Sequence, residues 1–280
     1  MTDSIIRRPA PKWASLSFIR TFINPIEAEV VPLTLTLKRL SPAFNDYRLV
    51  QISDIHMGSA GMNEERLTHI VEQVNAQQPD LVAITGDFMT RGEIAPIARA
   101  LYNPLRQLRA RDGVLAVLGN HDQYHDPQEM SALIRSAGIR VLINEAWSVQ
   151  RGEAWLHFGG TDSYSYRRAR LEAILKQIPA ADAAILLAHE PDFAVHSARC
   201  GRFDLQLSGH SHGGQIVVPR LNQALLAVPN GLRYPRGQYQ VGSMIQYTNR
   251  GLGMSIPPVR INCAPEITVF TLHAPDSARL

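Results

Sequence analysis

The sequence predicts an α/β fold of four layers, αββα: two mixed β-sheets packed face to face and flanked by helices. Three observations predict it. In the first half, strand-length apolar runs alternate with helical periodicity in the order β-α-β-α-β. Right-handed crossovers turn that order into a parallel sheet covered by helices. In the second half, more buried strand-like runs give way after Gly214 to short strands and Gly/Pro turns that read as antiparallel. Lastly, five of the apolar runs finish in metal-binding residue types. Ligands of open α/β sheets bind outside the carboxyl ends of strands.

The elements follow in order. Alternation in "PLTLTLKRL" (32–40) reads as a half-exposed strand and "YRLVQIS" (47–53) as a buried one. "NEERLTHIVEQVNAQQ" has a capping Asn63, acids in its first turn, and Leu67, Ile70, Val71 and Val74 at helical spacing. "DLVAIT" (80–85) and "GVLAVL" (113–118) are strands separated by a helix from about Ile94 to Arg111. Strands are expected at "RVLIN", "AWLHFGG", "AAILLA" (183–188) and "FDLQLS" (203–208), with a helix in "RRARLEAILKQI". The chain ends in "EITVFTL" (266–272). No linker-like shift follows residue 45, so residues 1–45 read as an extension with a first strand and 46–280 as one domain.

Composition sets bounds on function. With 45% hydrophobic residues, the 280-residue chain can bury an ordinary core. A net charge of +3 is no nucleic-acid stripe, so a polyanion track is not expected. Cys200 and Cys263 stand alone, which excludes a disulfide framework and a thiolate metal cluster, and they read as buried or half-buried thiols. No apolar run approaches the ~18 residues of a membrane-spanning helix. Ser15, Ser17, Arg20 and Thr21 interrupt the apolar residues of the N-terminus, and Pro9 follows its twin arginines. Neither a secretory nor an export signal is read there. The expected location is cytoplasmic. Trp13, Leu16, Ile19, Phe22 and Ile23 share one broad side of a helix, so residues 1–25 are a candidate for peripheral contact with the inner membrane face. No obligate protein partner is inferred.

The polar residues at the strand ends carry the chemistry. "VQIS" gives way to Asp54 and His56, "VAIT" to Asp87, "LAVL" to Asn120, His121 and Asp122, "ILLA" to His189, and "LQLS" to His210 and His212. Singly, each reads as a turn residue, a cap or a satisfied polar side chain. Jointly those readings must all hold at one edge of one sheet. Two Asp, four His and one Asn without Cys is too large a set for one tetrahedral zinc. It suits two divalent cations sharing a carboxylate. Such a pair clamps the attacking and leaving oxygens of an in-line displacement and lowers the pKa of the attacking water, so phosphate ester chemistry is its natural task.

The ordered motifs D-x-H, G-D, G-N-H-D, a strand-end H and G-H-x-H, over residues 46–215, resemble those of the calcineurin-like metallophosphoesterases. The resemblance implies a two-sheet sandwich with a dinuclear centre at the strand ends, and a metal-bridging hydroxide as nucleophile. By its motifs, Asp54, His56 and His212 would hold one ion, Asn120, His189 and His210 the other, and Asp87 would bridge. His121 would face the substrate, stabilising phosphoryl charge or protonating the leaving oxygen, and Asp122 would orient it. Manganese comes first among the metals, with zinc, iron and magnesium allowed by the ligand types. "RLVQISDIHMG", "GGTDSY", "LAHEPDF", "LSGHSHGGQ" and the tail from Asn249 look like a bacterial branch of phosphodiesterases that includes a UDP-diacylglucosamine pyrophosphatase of lipid A synthesis. The chain departs from members of that branch that carry an anchor or a twin-arginine signal. Its "GNHD" also differs from the "GNRD" of another lipid A pyrophosphatase group.

The expected activity is hydrolysis of a phosphodiester or pyrophosphate bond in a small molecule or glycolipid. A protein phosphatase, a nuclease and a non-catalytic scaffold are the rival readings. A scaffold would be expected to lose ligands or His121, yet all eight positions are filled. Outside this set, His125 reads as a solvated loop residue, and His69 and His157 as structural or exposed. Asp162, Tyr164, Tyr166, Arg167 and Arg168 form a polar, aromatic and basic cluster suited either to gripping a phosphate or sugar or to starting a helix. Arg250 offers the same choice.

Overall fold

Residues 21–22, 27–124, 126–217 and 228–276 are described in the structure, a computed structural model. The chain runs through β1 (Thr21–Phe22), β2 (Glu29–Thr36), β3 (Tyr47–Ile52), α1 (Glu64–Ala76), β4 (Leu81–Thr85), α2 (Ala95–Leu105), β5 (Val114–Val117), α3 (Pro127–Ser136) and β6 (Arg140–Val141). It continues with β7 (Glu145–Arg151), β8 (Ala154–Gly160), α4 (Leu171–Leu175), β9 (Ala183–Leu187), α5 (Ala194–Arg199) and β10 (Leu205–Ser208). Last come β11 (Gly237–Val241), β12 (Met244–Thr248), β13 (Arg260–Ile261) and β14 (Glu266–His273).

Two six-stranded sheets result, ordered β2-β14-β3-β4-β5-β6 and β11-β12-β10-β9-β8-β7. The expected parallel unit is present, with β3, β4 and β5 parallel in sequence order. The tail is not simply antiparallel. β11 and β12 form an antiparallel hairpin, but β12 lies parallel to β10, and β14 runs parallel to β2 and antiparallel to β3. A strand inserted between two others must take its direction from both neighbours, which makes each sheet mixed. Pro32 sits in β2, an edge strand, where a missing N–H costs no central ladder bond.

Alternating side chains divide each sheet between two cores. Leu49, Leu81 and Leu115 of one sheet meet Phe158, Ile185 and Leu207 of the other in the buried interface between them. Val50, Val82 and Ala116 point outward to Leu67, Ile70 and Val74 of α1, Leu101 of α2 and Ile134 of α3. Ala184 and Leu186 point outward to Ile174 of α4 and Ala194 of α5. The layers are therefore helix, sheet, sheet, helix. The sheets are also tied by polar groups near the strand ends, where buried Gln51 donates to Thr85 Oγ1 at 2.9 Å and to the Ser208 carbonyl of the opposite sheet at 3.0 Å.

Local signals explain most boundaries. Asn63 accepts the Arg66 amide at 2.9 Å and starts α1 where expected. Asn63→Ala should lower stability by about 1 kcal/mol. The check is a shift of the denaturant midpoint at constant slope. α4 is shorter than the run "RRARLEAILKQI", because Asn144 accepts the Arg170 amide and donates to the Arg168 carbonyl, holding that stretch as loop. Cys263 is buried, but Cys200 is exposed, contrary to expectation. Among the described residues no helix is long and apolar enough to cross a membrane. The expected contact through residues 1–25 falls outside them, except for the backbone of β1, which pairs with β13.

Candidate metal centre

β3, β4 and β5 of one sheet and β9 and β10 of the other end at a common edge, and each is followed within a few residues by predicted site residues. The backbone there is unusual. Asp54, His56, Asp87, His210 and His212 have φ of 51°, 50°, 56°, 68° and 51°. Side chains other than glycine rarely adopt such positive φ, and tolerate it where the surroundings over-determine them. Close packing supplies that. At Gly251 (φ 71°), behind the site, a Cβ would stand 2.7 Å from Asp54 Cβ, so only glycine lets this strand end approach.

Three groups of ligand atoms converge: Asp54 with His56 and His212, His56 with Asp87 and His121, and Asp87 with His189 and His210. Within each group the atoms lie within 4.8 Å of one another. His212 Nε2 is 3.5 Å and His56 Nε2 3.9 Å from Asp54 Oδ1, and the two imidazole nitrogens are 3.0 Å apart. Asp87 Oδ2 lies 3.5 Å from His56 Nε2 and 3.2 Å from His189 Nε2. Asn120 Oδ1 is 3.1 Å from His189 Nε2. All seven predicted ligand residues thus meet in one pocket, and Asp87 stands between the two outer groups.

Carbonyl contacts fix which nitrogen of several rings is free, because a carbonyl can only accept. His189 Nδ1 donates to Thr85 O at 2.6 Å, which turns Nε2 towards Asp87 Oδ2. His210 Nε2 donates to Pro229 O at 2.7 Å, leaving Nδ1. His121 Nδ1 donates to Thr90 O at 2.5 Å. Outer hydrogen bonds of this kind orient histidine metal ligands. His56 and His212 keep buried Nδ1 atoms without a hydrogen-bond partner.

The electrostatics show a shortage of positive charge. Burial raises the Asp54 carboxyl to about 6, with His189 lowering it and Asp87 raising it further. Burial also lowers His56 to about 3 and lowers His210 and His212, so these imidazoles are neutral near pH 7. Asp87 is held low against burial, chiefly by His189, and Asp87 in turn raises His189. A buried acid cluster with neutral imidazoles aimed inward suits a cation.

Asp122 departs from its expected role. It does not touch the His121 ring. Its carboxylate is fully buried and accepts the amides of Asp87 (3.0 Å), Phe88 (2.9 Å), Met89 (3.3 Å) and Gly119 (2.8 Å). The loops after β4 and β5 are thereby tied together, and Thr90 O orients His121 instead. Burial and Asp87 push the Asp122 carboxyl up to about 7, against the lowering effect of these amides.

The remaining residues sort clearly. His69 is exposed beside Glu72, and His157 is buried against Ser148 and Trp155. Arg250 is paired with Glu266 and Glu29 as a structural link. His125 lies outside the described residues. Gln123, Tyr124, Arg91 and Glu190 were not foreseen. Gln123 and Tyr124 directly follow G-N-H-D, and that position was the available signal.

Known proteins are similar to this chain. A family profile described as calcineurin-like phosphoesterase matches residues 47–214. The uncharacterized metallophosphoesterase YkuE of Bacillus subtilis is 33% identical over 256 residues, covering 90% of this chain and 88% of that protein. A transmembrane protein with metallophosphoesterase domain from Danio rerio is 33% identical over 258 residues, covering 87% of this chain but 57% of its own length. Among solved structures, the Termus thermophilus sulfate thiohydrolase SoxB aligns with a TM-score of 0.45 and 15% identity, covering 80% of this chain and 57% of that one. The matched span contains all seven predicted ligand residues and His121, and the chain belongs to the calcineurin-like phosphoesterase family.

Proposed function

We propose that this chain is a phosphohydrolase working with two divalent cations, manganese first, that cleaves a phosphodiester or pyrophosphate bond. The observation that carries the reading is Asp87, whose Oδ2 lies within 3.5 Å of one ligand group and 3.2 Å of the other. The residues fit a metal pair. The His56 and His212 Nε2 atoms lie 3.0 Å apart, so both lone pairs can point at one cation. Asp54, His56 and His212 would hold one ion, Asn120, His189 and His210 the other, and Asp87 both. When bound, the ions neutralise phosphoryl charge and lower the pKa of the attacking water.

The protein's own groups supply the rest. His121 is locked by Thr90 O and packed edge-on against His56, with ring centroids 4.7 Å apart. Its second nitrogen is free to meet a phosphoryl oxygen or to give a proton to the leaving oxygen. The modest net charge favours a small ester over a long polyanion. A glycolipid substrate and action at the inner membrane face remain part of the proposal. The name of the Danio rerio relative supports a membrane-associated setting.

The test is a panel of an aryl phosphodiester, a phosphomonoester and a nucleotide sugar with each of four ions. We expect turnover of the diester or the pyrophosphate with manganese, its loss on adding a chelator, and its return with metal. Turnover unaffected by chelation would sink the reading.

A further inference from the structure

Next to His121 stands an aromatic and basic wall that the metal chemistry does not require. Tyr124 packs edge-on against His121 with centroids 5.1 Å apart, and Tyr166 packs edge-on against Tyr124 at 6.5 Å. They are 49% and 41% exposed, the most exposed aromatic residues among those described. The Arg91 guanidinium sits 5.5 Å from the Tyr124 ring, and that of Arg168 5.9 Å from the Tyr166 ring.

The wall is held rigidly. Arg168 donates to Gln123 Oε1 at 2.6 Å, and Gln123 donates to Asp162 at 3.1 Å, so the loop after β8 is tied to the His121 turn. Beneath it, the fully buried Glu190 carboxylate accepts Ser163 Oγ (2.8 Å) and the amides of Tyr164 (3.1 Å) and Ser165 (2.9 Å). Asn144 accepts the amides of Asp162 and Arg170 at 3.2 and 2.7 Å. A loop fixed by buried polar groups while its aromatic tip stays in water is preorganised for a ligand.

Resting on the phosphohydrolase reading, we propose that Tyr124 and Tyr166, with Arg91 and Arg168, are the specificity subsite for the organic arm of the substrate, and that this arm is a nucleotide. A base lies on a tyrosine face, and the guanidiniums draw the anionic remainder. A sugar phosphate lacking a base would use only the second half of this chemistry.

The test separates recognition from turnover. Adenosine monophosphate and ribose 5-phosphate are titrated into the full chain without added metal, by calorimetry. The wild type should bind the nucleotide more tightly. Tyr166→Ala should weaken nucleotide binding about tenfold, the value of one stacked base, and Tyr166→Phe should restore it. Equal affinity for the two ligands, or no effect of Tyr166→Ala, overturns the proposal. In a second arm with manganese, Tyr166→Ala should raise KM for a dinucleotide diester about tenfold with kcat nearly constant. A fall in kcat at constant KM would also overturn it. Nucleotide binding through Tyr166 in a protein that hydrolyses no ester would instead sink the phosphohydrolase reading and leave the subsite standing.

Discussion

Asp87→Ala is expected to lower kcat/KM for every phosphoester by at least about a thousandfold, the upper range for losing a single group that stabilises transition-state charge. The expectation exceeds that for any single imidazole because Asp87 serves both ligand groups. Its Oδ2 faces His56 and His189, and its Oδ1 accepts the His121 amide at 2.8 Å. One substitution thus removes the shared donor and loosens the turn that carries His121. The fold should survive. Deleting Asp87 removes the partner that raises His189, but it also relieves repulsion on the buried Asp54 and Asp122 carboxyls, so the two effects oppose one another in the metal-free protein. Metal content should fall below two ions per chain by elemental analysis, with circular dichroism unchanged. Wild-type turnover in this variant would remove the basis for a dinuclear centre.

Much of this pocket was legible because buried strands write themselves as apolar runs, and polar residues at their ends stand out. Asp54, Asp87, Asn120, His189 and His210 follow such runs directly, and the edge they share follows from parallel strands having common carboxyl ends. α1 was equally readable, since Asn63 caps it and Leu67, Ile70 and Val74 face one core. α3 was missed although Asp126 accepts the Gln128 and Glu129 amides and Pro127 opens the helix, a start signal written in the sequence. β7 was missed for a different reason. It is an edge strand with little contrast between its faces, so periodicity is weak. The pairing of β2 with β14 joins residues 29–36 to 266–273, and no local pattern encodes a contact that distant. The Tyr124 and Tyr166 wall depends likewise on how two loops meet.

Asp122→Asn tests a role that arises from the tertiary structure, and a large loss of stability is the expected result. Four main-chain amides end on one buried carboxylate, at 2.8–3.3 Å. An asparagine fills the same space but turns an NH2 group towards donors that need an acceptor. Each buried donor left unmet costs about 1–3 kcal/mol, and loop relaxation recovers part of that, so a net loss of about 3–5 kcal/mol follows. For a chain of this size the melting temperature should fall by about 10 °C. Activity should fall as well, because the tied loops carry Asp87 and Asn120. His121→Gln supplies the contrast. It should lower kcat strongly and leave the melting temperature within a degree or two, since the ring lies at the pocket surface and its main anchor is the Thr90 carbonyl. If Asp122 acted by orienting His121, the two substitutions would be non-additive in activity and Asp122→Asn would spare stability. If it clamps the loops, stability falls in Asp122→Asn alone, and the double variant loses stability no further.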